Sequence, residues 1–169
     1  FQGQQRQELC TGAVVLRGFA FAQATALYEE VDGVTSRAPF RHMVTPGGVC
    51  MSVAMTNCGS YGWVSDSTGY RYDPRDPHNG QNWPEMPDIF LKLAQNAAAA
   101  AGFDNYVPDA CLINRYDPGT RLSMHQDKDE RDREAPIVSV SLGISAVFLW
   151  GGLQRQDKPI RIPLFHGDV

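Results

Sequence analysis

Ala110-Cys111-Leu112-Ile113-Asn114-Arg115-Tyr116 is the stretch on which the fold reading turns. Side chains two apart in an extended chain face the same way, so Leu112, Asn114 and Tyr116 share one side and Ile113 and Arg115 the other. The same period of two recurs downstream in Arg121–His125, Ile137–Gly143, Ala146–Trp150 and Ile160–Phe165, with Pro or Gly turns between most of these segments. All five are predicted strands. Upstream the pattern differs. Phe21–Val31 carries apolar or aromatic residues at 24, 27, 28 and 31, the spacing of a helix face. Pro87 opens a second helix beginning at Asp88 and running through five alanines to Gly102, with Pro and an acidic residue at its start and Gly at its end. Ala13–Leu16 and Val49–Met55 read as short strands, with a turn at 44–48 between the first helix and the second of them. Cys58–Pro87, rich in Gly, Tyr, Trp, Asp, Asn and Pro, reads as short strands and long surface loops, and loops of that length are usually functional. Helices followed by a run of strands predict an α+β, mainly β fold, with the helices packed on an antiparallel sandwich or jelly roll.

The chain has 169 residues, the size of one domain, and is 43% hydrophobic and 20% charged, enough for an ordinary core. No apolar run approaches the ~20 residues of a membrane span. A net charge of −4 argues against coating nucleic acid by bulk electrostatics, though not against gripping one base in a pocket. The four cysteines, 10, 50, 58 and 111, lack CxxC spacing and read as free thiols in a reducing, cytoplasmic setting, with Cys50 and Cys111 in packing roles. Phe1-Gln2-Gly3 reads as a tag remnant.

The polar end of one predicted strand carries the chemistry. In Leu122-Ser123-Met124-His125-Gln126-Asp127-Lys128-Asp129-Glu130, the residues Ser123, His125 and Asp127 share a face if the strand persists. An imidazole and a carboxylate two apart can take adjacent positions on one metal ion, and a second histidine would complete a facial triad. A solvated turn explains the same spacing. Asn114 and Tyr116 either hold an acid such as 2-oxoglutarate by neutral hydrogen bonds or form a buried polar pair satisfied by the backbone. Trp63 and Tyr70, on residue type alone, cap a loop cluster. Met51 and Met55 share a face, one for the core and one for a pocket. Arg131–Glu134 reads as a solvated turn, and His42 and His78 as surface or turn histidines.

Pro46-Gly47-Gly48, Met51–Gly59, Pro108–Tyr116, His125–Glu130 and Ala135–Gly143 strongly resemble the bacterial AlkB alkylation-repair dioxygenases, and the likeness runs from about Gly12 to Val169. The resemblance implies a double-stranded β-helix (jelly-roll) core over 108–169, two packing helices, and a nucleotide-recognition loop and hairpin region over 40–86, all in one dioxygenase domain. It implies an enzyme using Fe(II), 2-oxoglutarate and O₂ to remove N-methyl groups of the 1-methyladenine and 3-methylcytosine type from DNA or RNA as formaldehyde, with succinate as coproduct. By position, His125 and Asp127 match metal ligands, and Asn114 and Tyr116 match 2-oxoglutarate contacts. Trp63, Tyr70 and Met55 match the base pocket, in which the His125 ring packs on the far face of the base. Asp129 matches a carboxylate near the cationic ring. Thr45, Arg121, Ser123 and Lys128 match positions along the sugar-phosphate strand. Such bases are cationic, which suits aromatic faces and a carboxylate, and methylation weakens their pairing. The expected partner is alkylated, preferentially single-stranded nucleic acid, bound by a monomer away from any membrane.

The family pattern continues past Val169 into strands bearing a second metal histidine and two arginines for 2-oxoglutarate. The stretch ending at Val169 is therefore expected to belong to a longer protein and not to turn over alone, with His166 in a structural turn. A dioxygenase acting on a protein or small molecule, and an inactive jelly-roll module binding nucleic acid, are the competing readings.

Overall fold

A computed structural model describes residues 5–128, 130–154 and 156–169. Phe1-Gln2-Gly3 and Asp129 lie outside the described residues. Nine strands and two α-helices are present among them: β1 Arg6–Cys10, β2 Ala13–Leu16, α1 Ala24–Arg37, β3 Arg41–Val44, β4 Cys50–Gly59, β5 Gly62–Asp66, β6 Gly69–Asp73, α2 Asp88–Ala101, β7 Ala110–Arg115, β8 Ala146–Trp150 and β9 Ile160–Leu164. A 3₁₀ turn, Phe21–Gln23, leads into α1. α2 begins where Pro87 and Asp88 predict, with the Pro87 carbonyl accepting from Phe90 N–H. It ends at Gly102, whose φ of 96° lies in the left-handed region, and Phe103 N–H returns to the Ala98 carbonyl.

The chain forms two compact units. One comprises residues up to Ala26, Lys92–Tyr106 and Glu134–Val169. It holds the antiparallel ribbons β1–β2 and β8–β9. Its polar centre is Asp168, 2% exposed, which accepts from Arg17 Nη1 at 2.5 Å and from the N–H groups of Gly18 and Phe165 at 2.9 Å each. His166 accepts from Gly143 N–H and meets Phe21 edge-on, the structural turn its sequence context predicts.

The other unit comprises Leu27–Leu91 and Val107–Arg133 and contains the candidate site. Its sheet runs β3-β4-β7, antiparallel throughout, and β5–β6 is a separate hairpin. Val53, Ala54, Met55, Thr56, Asn57 and Cys58 are all buried, so β4 is covered on both faces. Ala38, Val64 and Trp83 form one small core. Met43, Val53 and Met55 form another, with Met51, Trp63, Leu112 and Leu122 packed on it.

Two predicted strands are not strands. Arg121–His125 and Ile137–Gly143 have no β-ladder. Alternation reports an extended backbone, whereas a strand also needs a partner edge. Segment 121–128 instead uses Ser52 Oγ, which donates to the Arg121 carbonyl, and the packing of Leu122. In 137–143 the Ser141 N–H donates to Asp168 O and its carbonyl accepts from Gly167 N–H. Conversely, β4 runs past Met55 to Gly59. Cys50 is exposed rather than packed, because it starts β4 at the turn. Cys111 is half-buried, Cys58 is buried, and all four thiols are free.

Candidate active site

The site grows from one face of the β3-β4-β7 sheet. Directly opposed residues of an antiparallel pair project to the same side, and the register sets Met55 opposite Asn114 and Asn57 opposite Leu112. Asn114, exposed near the end of β7, therefore lies on the same face as Met55, which is 1% exposed. Met51, Val53 and Met55 line that face at successive alternate positions. The side chains packed on this cluster come from distant sequence: Trp63 from β5 and Leu122 from the segment that leads into His125. Apolar burial thus gathers the aromatic hairpin, the Asn114 strand and the His125 segment around one buried patch.

His125 and Asp127 come together without a strand to align them. His125 Nε2 lies 3.4 Å from Asp127 Oδ1, and both side chains are more than half exposed. On the other side of the ring, Nδ1 sits 2.7 Å from the Ser123 carbonyl. A carbonyl only accepts, so Nδ1 is the donor in that contact, and Nε2 is the ring nitrogen turned toward the carboxylate. A ring nitrogen donating to a backbone carbonyl, with the other nitrogen turned outward, is the usual arrangement of a metal-binding histidine. Donors on adjacent positions of an ion with bonds of about 2.1 Å lie about 3.0 Å apart, close to the separation seen. These two residues fit a divalent ion as a cis pair. No cluster of three His, Cys, Asp or Glu able to hold a metal occurs among the described residues.

The hairpin carries the aromatic wall. Trp63 and Tyr70 stack on each other, with centroids 5.7 Å apart and planes inclined by 18°. Tyr70 is 47% exposed, so the wall has a free flank. Its position is fixed by a residue that sequence reasoning missed. Asn57, fully buried, accepts from Trp63 N–H and donates to the Trp63 carbonyl, both at 2.9 Å, replacing a ladder that β4 and β5 do not form. Trp83 supports the same hairpin by donating Nε1–H to the Asp73 carbonyl and lying against Gly62. Arg41 stacks over the Trp83 ring and binds both oxygens of buried Asp76 at 2.6 Å. Burial pushes the Asp76 carboxyl up, but the Arg41 hydrogen bonds and the His78 N–H overcome it and hold it below the ordinary carboxylate range. Tyr72, also unforeseen, donates its hydroxyl to Glu130 Oε1 at 2.5 Å. Burial first, then this acidic partner, push its phenol well up, so it stays a neutral donor.

The remaining predicted residues scatter around this patch. Tyr116 follows β7 and is 49% exposed. Thr45 closes the 45–49 turn, its Oγ1 accepting from Val49 N–H. Arg121, Ser123 and Lys128 are exposed. Arg115 is turned to the Phe40 ring and Asp117. His42 Nδ1 meets the Met51 carbonyl. Asp129 lies outside the described residues. The sequence signal for Asn57 and Tyr72 was weak: a lone buried amide and a tyrosine in a loop-rich stretch.

The site-bearing unit thus combines a β-rich frame with an adjacent histidine–carboxylate pair, and comparison with known proteins names the class. The family model described as 2OG-Fe(II) oxygenase superfamily matches residues 12–169. The chain is 57% identical to the alpha-ketoglutarate-dependent dioxygenase AlkB of Escherichia coli K12, over 97% of this chain and 76% of that protein. It is 45% identical to the AlkB homolog of Caulobacter vibrioides, over 85% of this chain and 64% of that protein. The solved structure of OsALKBH1 superposes with a TM-score of 0.84 at 27% identity, covering 97% of this chain and 80% of that one. The chain belongs to the 2OG-Fe(II) oxygenase superfamily and, within it, to the AlkB dioxygenases, whose cofactor and cosubstrates are Fe(II), 2-oxoglutarate and O₂. No helix among the described residues is long and apolar enough to cross a membrane.

Proposed function

We propose that this enzyme is an oxidative demethylase that restores N-methylated bases of the 1-methyladenine and 3-methylcytosine type in DNA or RNA. The single observation that carries the reading is the convergence of His125 Nε2 and Asp127 Oδ1 at 3.4 Å in the unit that presents the Trp63–Tyr70 stack. Its relatives include AlkB dioxygenases, and a less similar human one is called a nucleic acid dioxygenase.

His125 and Asp127 would hold the iron, with the Ser123 carbonyl fixing the orientation of the imidazole. Asn114 and Tyr116 would bind 2-oxoglutarate by neutral hydrogen bonds. When bound, iron would supply the oxidising power, drawn from O₂ as 2-oxoglutarate is oxidatively decarboxylated to succinate and CO₂, that hydroxylates the methyl carbon; the hydroxymethyl group then leaves as formaldehyde. Trp63 and Tyr70 provide a flat wall for a cationic base, the His125 ring covers its other face, and Met55 floors the pocket. The Asp129 carboxylate offsets the positive charge of the lesion. Thr45, Arg121, Ser123 and Lys128 contact the sugar-phosphate strand. Single-stranded substrate is favoured because a methylated base there is already unpaired, and an acidic chain gains little from bulk attraction to duplex.

In this reading the chain is one dioxygenase domain acting as a cytoplasmic monomer, with 40–86 forming the nucleotide-recognition region and 108–169 part of a jelly-roll core. The test is release of formaldehyde and succinate by the full-length protein, given Fe(II), 2-oxoglutarate and either an oligonucleotide bearing 3-methylcytosine or a methyl-lysine peptide. Product with the oligonucleotide alone supports the reading, and product with the peptide alone overturns it.

A further inference from the structure

The segment that carries His125 and Asp127 has no ladder, so something else must set its distance from the aromatic wall. Its described hydrogen bonds at the pair itself are local: His125 Nδ1–H to Ser123 O, and Lys128 N–H to Gln126 O. Longer-range ties flank the pair. Before His125, Leu122 packs on the cluster that also receives Trp63. After Asp127, Glu130 accepts the Tyr72 hydroxyl across 58 positions of sequence. Tyr72 is opposite Trp63 in the hairpin register and two residues from Tyr70, so all three aromatic residues project from the same hairpin face. Both Tyr72 and Glu130 are half-buried, which shields their bond from the solvent competition that weakens surface contacts.

We propose that Tyr72 is a positioning residue: its hydroxyl, latched to Glu130, fixes the spacing between the Trp63–Tyr70 wall and the His125–Asp127 pair and so sets how tightly a flat base is held. Tyr72 touches neither the base nor the metal in this scheme. It acts through Glu130 on one side and through the shared hairpin face on the other. The inference rests on the nucleic-acid reading of the site.

The test compares wild type with Tyr72→Phe, which keeps the ring and deletes only the latch, and with Glu130→Ala and Glu130→Gln. The readouts are KM and kcat on an oligonucleotide bearing 3-methylcytosine, and the Kd of the metal-free protein for the same fluorescently labelled oligonucleotide. Tyr72→Phe is expected to raise KM and the metal-free Kd about tenfold, the scale of one hydrogen bond to a charged acceptor, with kcat within about twofold. Glu130→Ala reproduces the loss, Glu130→Gln, which keeps an acceptor oxygen, restores most of it, and Tyr72→Phe with Glu130→Ala is no worse than either alone. Unchanged KM and Kd, a loss confined to kcat, or additive losses in the double variant would overturn the proposal. Thermal melting of each variant separates a latch from a fold defect: weaker binding that merely tracks a lowered Tm, without rescue by Glu130→Gln, also counts against it. If wild type releases no formaldehyde and does not prefer the methylated strand, the repair reading itself falls; wild-type repair with an indifferent Tyr72→Phe sinks only the latch.

Discussion

Asn57→Ala should be among the costliest single changes in the site-bearing unit, although Asn57 touches no candidate ligand. Its amide is fully buried and holds both backbone groups of Trp63 at 2.9 Å. Alanine leaves the part-buried N–H and carbonyl of Trp63 without partners, at roughly 1–3 kcal/mol each, so the expected loss is at most about 2–6 kcal/mol. Some water entry and hairpin movement will recover part of this, which makes about 3 kcal/mol the working figure. With a urea m-value of about 2 kcal/mol/M, the midpoint should fall by about 1.5 M. The assay is equilibrium urea unfolding followed by tryptophan fluorescence, which also reports on Trp63 itself. Asn57→Asp is the informative control: it keeps an acceptor for Trp63 N–H but loses the donor and buries a charge, so it should be no better than alanine. A midpoint shift below about 0.3 M for Asn57→Ala would refute the claim that this amide substitutes for a missing ladder.

Further outcomes follow from the same geometry. A Cβ at Gly62 would sit 2.3–2.7 Å from the Trp83 indole, so Gly62→Ala should displace that ring and cost about 1–3 kcal/mol in the same unfolding assay. The Asp76 carboxyl has a lowered pKa when folded, so the stability it contributes is present above the unfolded value of about 3.9 and is lost as pH falls through the lower folded value. Thermal melts taken between about pH 6 and 2 should therefore show a shallower acid limb in Asp76→Asn than in wild type. His125→Ala should abolish stoichiometric Co(II) binding measured by equilibrium dialysis, whereas His42→Ala and His78→Ala should retain it.

Much of the fold was legible where local rules act alone. Pro87-Asp88 and Gly102 bracket α2 because capping and backbone conformation are properties of a few adjacent residues. The alternation in Ala110–Arg115 marked β7 for the same reason. Arg121–His125 and Ile137–Gly143 show the limit: their period of two is present, but pairing depends on which edge lies alongside, and that is a tertiary fact. His125 and Asp127 meet despite the missing strand, because the Ser123 carbonyl and the anchoring of Leu122 orient the segment instead. Asn57 and Tyr72 were illegible for a related reason. An asparagine in a strand and a tyrosine in a polar stretch acquire meaning only from partners 6 and 58 residues away.

The most direct measurement is mass spectrometry of an oligonucleotide carrying one 3-methylcytosine after incubation with full-length protein, Fe(II), 2-oxoglutarate and air. The account predicts loss of one CH₂ from that strand with wild type and none with Asp127→Ala. An unchanged strand with metal-loaded wild type, or the same loss with Asp127→Ala, would contradict it.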